Sequence, residues 1–388
     1  MARRPRIVVI GAGIIGTSIA SRLAGRGASV TMVEAALPGA GTTGTSLAWV
    51  NASSKLDTSR EYFDLTVRAT AEHHALADAL GETRTFHPTG NIEISRQPED
   101  ADRLNSKVTR LQERGYRADL VPIRELGQLE PGLKLPATAV AAYYADEGWV
   151  DGPAMARALL ERARRSGAKV LLQTAAKHLV LKNDAVAGVA LAGGEAVRAD
   201  TVVVATGPWT QDFLARLGVE VPLAHGEDEG SKAFGLLVTV LPTAGSPSTV
   251  LHSREVNWAP RPSGHAVLAS AGADRVIAGD RSAETVRAAA NTLLERAADL
   301  SARFADASFE QAQIGLRALP IDGWPVCGWI DSIDGLYVVV THSGITLAPL
   351  LSQQVAEEIV EGGEASALSP FRPSRFDGAA GERAPADQ

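Results

Sequence analysis

The chain has 388 residues, 45% hydrophobic and 21% charged, with a formal net charge of −7. That acidity argues against nucleic acid as a partner, which needs a basic face. The single cysteine, Cys327, excludes an internal disulfide and a cysteine-cluster metal site. No run of about 18 apolar residues occurs, so no membrane span is expected and the sequence reads as a cytoplasmic protein.

Ile7 to Ile10 form a continuous apolar run, the pattern of a strand buried on both faces. Ile15, Ile19 and Leu23 then recur at helical spacing, with Gly27 as the stop. Val30 to Val33 read as a second strand ending in Glu34. Residues 61–82 and 101–115 are predicted helices, and His73 and His74 are expected to face solvent from the first of them. In DGPAMARALLERARRSGAKV, Asp151 is a candidate N-cap before a first-turn proline. ADTVVVATGPW reads as another buried strand and turn, followed to about Gly279 by short strands and breakers. Residues 284–304 carry Val286, Ala290, Leu293, Ala297, Leu300 and Phe304 on one helical face. GLYVVV and GITLAPLLSQQVAEEIVEGG close the chain as strand and helix, before a small polar tail. The α/β segments stand at the start, middle and end, with β-rich material between them.

Residues 7–16 read IVVIGAGIIG, a strand entering a helix through G-x-G-x-x-G. Gly11 permits the tight turn, Gly13 lets backbone approach a diphosphate, and Gly16 lets helix and strand pack closely. Unpaired amides and the helix dipole both favour an anion there. Glu34, at the end of the next strand, is placed for a ribose 2′-hydroxyl and would repel a 2′-phosphate. The choice between NAD and FAD is open on this motif alone. The long AALPGAGTTGTSLAWVNASSK loop that follows offers donors to a second length of cofactor, which suits FAD.

Four stretches carry a family resemblance: the glycine turn with Glu34, the GTTGTS loop, TVVVATGPW, and IGLRALPIDGWPVCG with the closing strand and helix. Together they resemble the FAD-dependent amine and amino-acid oxidoreductases of the D-amino-acid oxidase, glycine oxidase and sarcosine oxidase superfamily. The resemblance implies an α/β fold: a Rossmann-like FAD-binding domain assembled from three chain segments (1–85, 145–222 and 310–376). An inserted α+β substrate domain would come from 86–144 and 223–309, with 377–388 a disordered tail. It implies transfer of a hydride from the carbon beside an amine to flavin N5, giving an imine, with oxygen or another acceptor taking the electrons. The cofactor set is then Gly11, Gly13, Gly16, Glu34, Thr42, Thr43, Gly44, Ser46, Ala176, Thr206, Gly207, Ser343, Gly344, Ile345 and Thr346. The Ser343–Thr346 turn starts a helix whose dipole would favour negative charge at flavin N1 and the C2 oxygen. Cys327 lies later than the cysteine of covalent relatives, so the FAD is expected to be noncovalent.

On the substrate side, Arg317 matches a carboxylate-binding arginine of glycine oxidases; the alternative is an arginine that braces the Asp322 loop or the flavin. His342 is a candidate base or hydrogen-bond donor. Sarcosine oxidases have an arginine and a lysine where this chain has Asn51 and Thr346, and a second glycine oxidase arginine has no counterpart in THSGIT. The strand after PRPSG lacks the lysine used with oxygen, leaving Arg261 and His265 as substitutes. Trp49, Trp258 and Trp324 are either pocket walls or core. The eight histidines show no ligand spacing, so no metal is expected. GEDEGSK, 226–232, reads as a solvated loop or a lid. A flavin dehydrogenase, a flavin monooxygenase and a flavin-binding subunit without turnover are the alternatives; RVIAGDRSAE only superficially resembles a hydroxylase motif.

Overall fold

The computed structural model describes residues 4–81, 85–226 and 231–377. The tail from 378 and most of the GEDEGSK stretch lie outside the described residues. At the centre is a six-stranded sheet in the order Val326–Trp329, Leu336–Val340, Thr201–Val204, Arg6–Ile10, Ser29–Val33, Lys169–Leu171. All pairs are parallel except the one made by the edge strand Val326–Trp329. From Arg6–Ile10 the chain builds outward on one side with Ser29–Val33 and on the other with Thr201–Val204. The strand order therefore reverses there, and a crevice opens beyond the carboxyl ends of those strands.

The continuous apolar runs are explained by two covered faces. Ile7 and Val9 point to the core formed with the helices Ile14–Gly25 and Gly344–Glu361, while Val8 and Ile10 point to the other core. That second core is closed by an antiparallel sheet of Ala176–Lys182, Ala185–Leu191 and Ala196–Arg198. Each fully buried aliphatic side chain contributes about 1.5–3 kcal/mol. The helix Gly152–Arg165 packs against Ile14–Gly25, and its N-cap Asp151 accepts from the Ala154 amide at 3.0 Å.

The inserted layer is an eight-stranded sheet, mostly antiparallel, drawing strands from residues 91–144 and 234–316. Its core includes Trp258 and the Leu293, Ala297 and Leu300 face of the helix Ala283–Leu300. Two boundaries differ from the expectation. Ser308–Leu316 pairs along Phe234–Leu241, so the last return to the central sheet begins after Leu316 and not at 310. Phe86–His87 joins Gly148–Val150 and Trp49–Val50 in a small sheet that ties the two layers together. The helix expected over 61–82 spans Arg60–Leu80, and that over 101–115 spans Pro98–Glu113. His73 is fully buried, contrary to the expectation that it faces solvent; its neighbour His74 is exposed.

Candidate active site

A cavity of about 600 Å³ fills the crevice, running from the first glycine turn to the start of Gly344–Glu361. Of the expected cofactor residues, Gly11, Gly13, Glu34, Thr42, Thr43, Ser46, Ala176, Thr206, Gly207, Gly344 and Ile345 line it, as does His342. Gly16, Gly44, Ser343 and Thr346 stand behind this wall.

The first turn fits a diphosphate. Gly11 has φ +101°, and a Cβ there would stand 2.4 Å from the Ala205 carbonyl oxygen. A Cβ at Gly16 would stand 1.9 Å from the Gly11 oxygen, so Gly16 serves the close packing of helix on strand. Gly13 lines the cavity, and a Cβ there would crowd Thr43 Oγ1 at 3.3 Å. Thr43 Oγ1 accepts from the Ile14 amide at 3.0 Å, while the next first-turn amides have no intrahelical acceptor. Glu34 is locked in place: its oxygens accept from the amides of Ala12 at 2.6 Å and Ala36 at 2.7 Å. A carboxylate keeps further acceptor capacity for ribose hydroxyls. Thr42 Oγ1 donates to the Leu316 carbonyl at 2.7 Å, tying this loop to the large sheet. A Cβ at Gly44 would meet the Gly39 oxygen at 2.8 Å, so this glycine lets the loop close on itself.

The second helix start is built differently. Ser343 makes no side-chain cap; its Oγ lies 2.9 Å from the Tyr62 hydroxyl. Pro349 sits inside the helix and has no amide for the Ile345 carbonyl four residues earlier. His73 supplies the missing donor, with Nε2 2.9 Å from the Ile345 oxygen and 3.2 Å from the Thr346 oxygen. Two acceptors require that Nε2 carry the proton. Burial pushes the His73 pKa down to about 4, so the ring is neutral. Thr346 Oγ1 donates to the Trp49 carbonyl at 3.2 Å and accepts from the Asn51 amide at 3.4 Å. The helix start is therefore held by tertiary contacts while its amides face the cavity.

His342 has no hydrogen-bond partner among the described residues. Its ring is open to the cavity; desolvation by the surrounding protein, and then the positive charges of Lys55 and Arg317, lower its pKa. Arg317 does not line the cavity. It donates to the carbonyls of Lys232 at 2.9 Å and Phe234 at 2.7 Å, and pairs with Asp274 at 2.6 Å. Arg317 is thus a brace in this structure, and its Nε and one Nη2 proton have no partner among the described residues. A Cβ at Gly235 would meet Arg317 Nη2 at 2.6 Å, so that glycine makes room for the guanidinium.

Arg261 donates to the carbonyls of Pro260, Ser46 and Leu47, clamping the loop that carries Thr42 and Thr43; burial lowers its pKa to about 10. His265 lies 3.0 Å from Glu310 on the large sheet. Trp258 is wholly buried against Phe304, Trp324 packs on Phe371, and Trp49 donates to Glu147. The indole that lines the cavity is Trp209, which is about half exposed. Asp274, Tyr62, His73 and Glu147 had no legible signal as site residues. Only Pro349 inside a helix hinted that some side chain must supply a donor.

The family model described as FAD dependent oxidoreductase (DAO) matches residues 6–358. Glycine oxidase of Geobacillus kaustophilus is 27% identical over 393 residues, covering 98% of this chain and all of that one. The crystal structure of glycine oxidase from that organism superposes with a TM-score of 0.81 at 26% identity, covering 96% of this chain and 99% of that one. An L-amino acid deaminase from Proteus vulgaris shares the fold, with a TM-score of 0.81 at 20% identity over 97% of this chain and 95% of that one. No helix among the described residues is long and apolar enough to cross a membrane. A dinucleotide-shaped crevice with a diphosphate turn at one end and a second helix start at the other agrees with that match, and the chain belongs to the FAD-dependent oxidoreductase (DAO) family.

Proposed function

We propose that the chain oxidises an amino acid or small amine at its CH–NH bond, using noncovalently held FAD. The observation that carries the reading is the cavity itself. It begins at the Gly11–Gly13 turn with Glu34 and ends at the Gly344 helix start beside His342. Glycine oxidases among the relatives support the amine class. Cys327 supports noncovalent attachment: it is buried in the edge strand against Tyr337, and burial raises its pKa to about 12.

The residues divide the work by position. Gly13 and the first-turn amides would hold the diphosphate, and Glu34 the adenosine ribose. The amides of Gly344 and Ile345 would face the flavin, where a helix start favours added negative charge. When bound, FAD supplies the acceptor for two electrons and the proton leaving the substrate carbon as a hydride. His342 lines the cavity with no hydrogen-bond partner among the described residues, so its ring serves as a hydrogen-bonding group toward what the cavity holds. Arg317, through Nε and Nη2, orients a substrate carboxylate. The working location is the cytoplasm, in keeping with a single buried thiol.

The test is anaerobic mixing of the purified yellow protein with a panel of amines and amino acids. Bleaching of the flavin absorbance by one chemical class supports the reading; no bleaching by any of them sinks it in favour of a binding subunit. Admitting oxygen afterwards distinguishes an oxidase from a dehydrogenase by the rate at which colour returns.

A further inference from the structure

The crevice has two banks. One is the loop after Ser29–Val33, which carries Leu37, Gly41 and Thr42; the other is the turn after Thr201–Val204, which carries Thr206, Gly207 and Trp209. They flank the cavity because the strand order reverses at Arg6–Ile10, so the two segments leave the central sheet on opposite sides of that strand. Trp209 crosses between them. A Cβ at Gly41 would stand 3.3 Å from Trp209 Cζ3 and 3.4 Å from Cη2, so the edge of the indole rests on the bare backbone of the facing bank.

The turn that projects the indole is fixed by its own backbone. Gly207 has φ +60°, Thr210 Oγ1 donates to the Gly207 carbonyl at 2.8 Å, and the Trp209 amide donates to the Thr206 carbonyl at 3.3 Å. The ring itself makes no hydrogen bond among the described residues, so packing holds it across the crevice. Its exposure is a second, independent observation. Trp209 is 52% exposed and Leu37, on the facing bank, 59%, and both line the cavity. The other exposed large hydrophobic side chains among the described residues, Leu120, Leu241, Val276 and Ile321, do not line it. Half an indole in water is apolar area that a ligand in the crevice can cover.

We propose that Trp209 is an aromatic clasp for the cofactor: it reaches from one bank to the other, covers the open side of bound FAD and sets how slowly the FAD leaves. This rests on noncovalent attachment of the cofactor. Release then requires the indole to lift off Gly41, and Gly41 is a glycine because a side chain there would push the ring away.

The experiment measures FAD release from the loaded protein, read as the change in flavin fluorescence after dilution, together with thermal unfolding of the apoprotein. Trp209→Ala is expected to speed release about tenfold or more, because the apolar area that covers the ligand is lost. Trp209→Phe, which keeps a ring, is expected to stay within about threefold of wild type. Gly41→Ala presses a methyl group against the indole; it is expected to speed release about threefold alone and to add nothing to Trp209→Ala. The Trp209→Ala apoprotein should unfold at the wild-type temperature, since the ring is half exposed. Unchanged release in Trp209→Ala overturns the proposal. Faster release with a lower unfolding temperature of the apoprotein makes the indole a residue of the fold and also overturns it. Equal acceleration by Gly41→Ala with and without Trp209 overturns the bridge between the banks. Flavin that stays with the acid-precipitated wild-type chain overturns noncovalent attachment and the clasp together, whereas freed flavin with unchanged release in Trp209→Ala overturns the clasp alone.

Discussion

The two helices that start at the cavity, Ile14–Gly25 and Gly344–Glu361, reach the same end by different means. The first is organised locally. Its glycines set the turn, Thr43 from the next loop caps it, and Glu34 binds the Ala12 amide. The second has a serine at its N-cap that does not cap it, and a proline that leaves a carbonyl unpaired. It is held from outside by His73, Tyr62 and the backbone of Trp49 and Asn51. An anion site can thus be written into a short motif, or assembled from side chains distant in sequence around an ordinary helix start.

The comparison is broken most severely at the first turn. Gly11→Ala forces a Cβ toward the Ala205 oxygen at a positive φ, and should cost about 3 kcal/mol or more together with the bound flavin. Flavin absorbance and thermal unfolding of the purified variant check this; a yellow protein of normal stability would show that the turn is not closely packed. At the second turn, His73→Ala should cost about 3 kcal/mol, through the cavity and the unpaired carbonyls. In a Pro349→Ala background residue 349 regains an amide for Ile345, so the same change should cost about 1 kcal/mol less. Strict additivity in that double-mutant cycle would mean that His73 does not serve the Ile345 carbonyl.

The second turn should also be the acid-sensitive one. His73 has a folded pKa of about 4 against an ordinary value of 6.5. As pH falls below about 6.5 the unfolded chain takes up a proton that the native ring refuses until about pH 4, so stability drops across that window. His73→Gln should flatten the slope by up to about 1.4 kcal/mol per pH unit relative to wild type. Denaturant midpoints at several pH values measure it, and an unchanged slope would place that titration elsewhere.

On the substrate side, Arg317→Ala should retain FAD and weaken carboxylated substrates about tenfold relative to uncharged amines. Equal loss for both classes would leave Arg317 only as a brace between Asp274 and the Lys232–Phe234 backbone. The smallest expected effect is Thr43→Val, which removes the cap on Ile14 and should cost about 1 kcal/mol with flavin still bound. A loss no larger than the error would show that the first turn is held by its glycines and Glu34 alone.

Much of this architecture was legible before any coordinates. The buried strands, the glycine turn, Glu34, the Asp151 cap and the amphipathic face from Ala290 to Phe304 all follow from spacing over a few residues. Boundaries between layers were less legible, because Ser308–Leu316 reads as an apolar-edged strand whichever sheet it joins. His73 was misread because its helix face is decided by what lies against it, Phe86 and the second helix start, and not by its neighbours in sequence.

The sequence alone determined the elements and the diphosphate end of the site. Those depend on backbone conformation and short-range periodicity, which neighbouring residues specify. Only the tertiary structure decided how the charges near His342 are balanced. Pairing Arg317 with Asp274 joins segments more than forty positions apart. Electrostatic balance is a sum over everything nearby in space, and no local pattern in the chain records that sum.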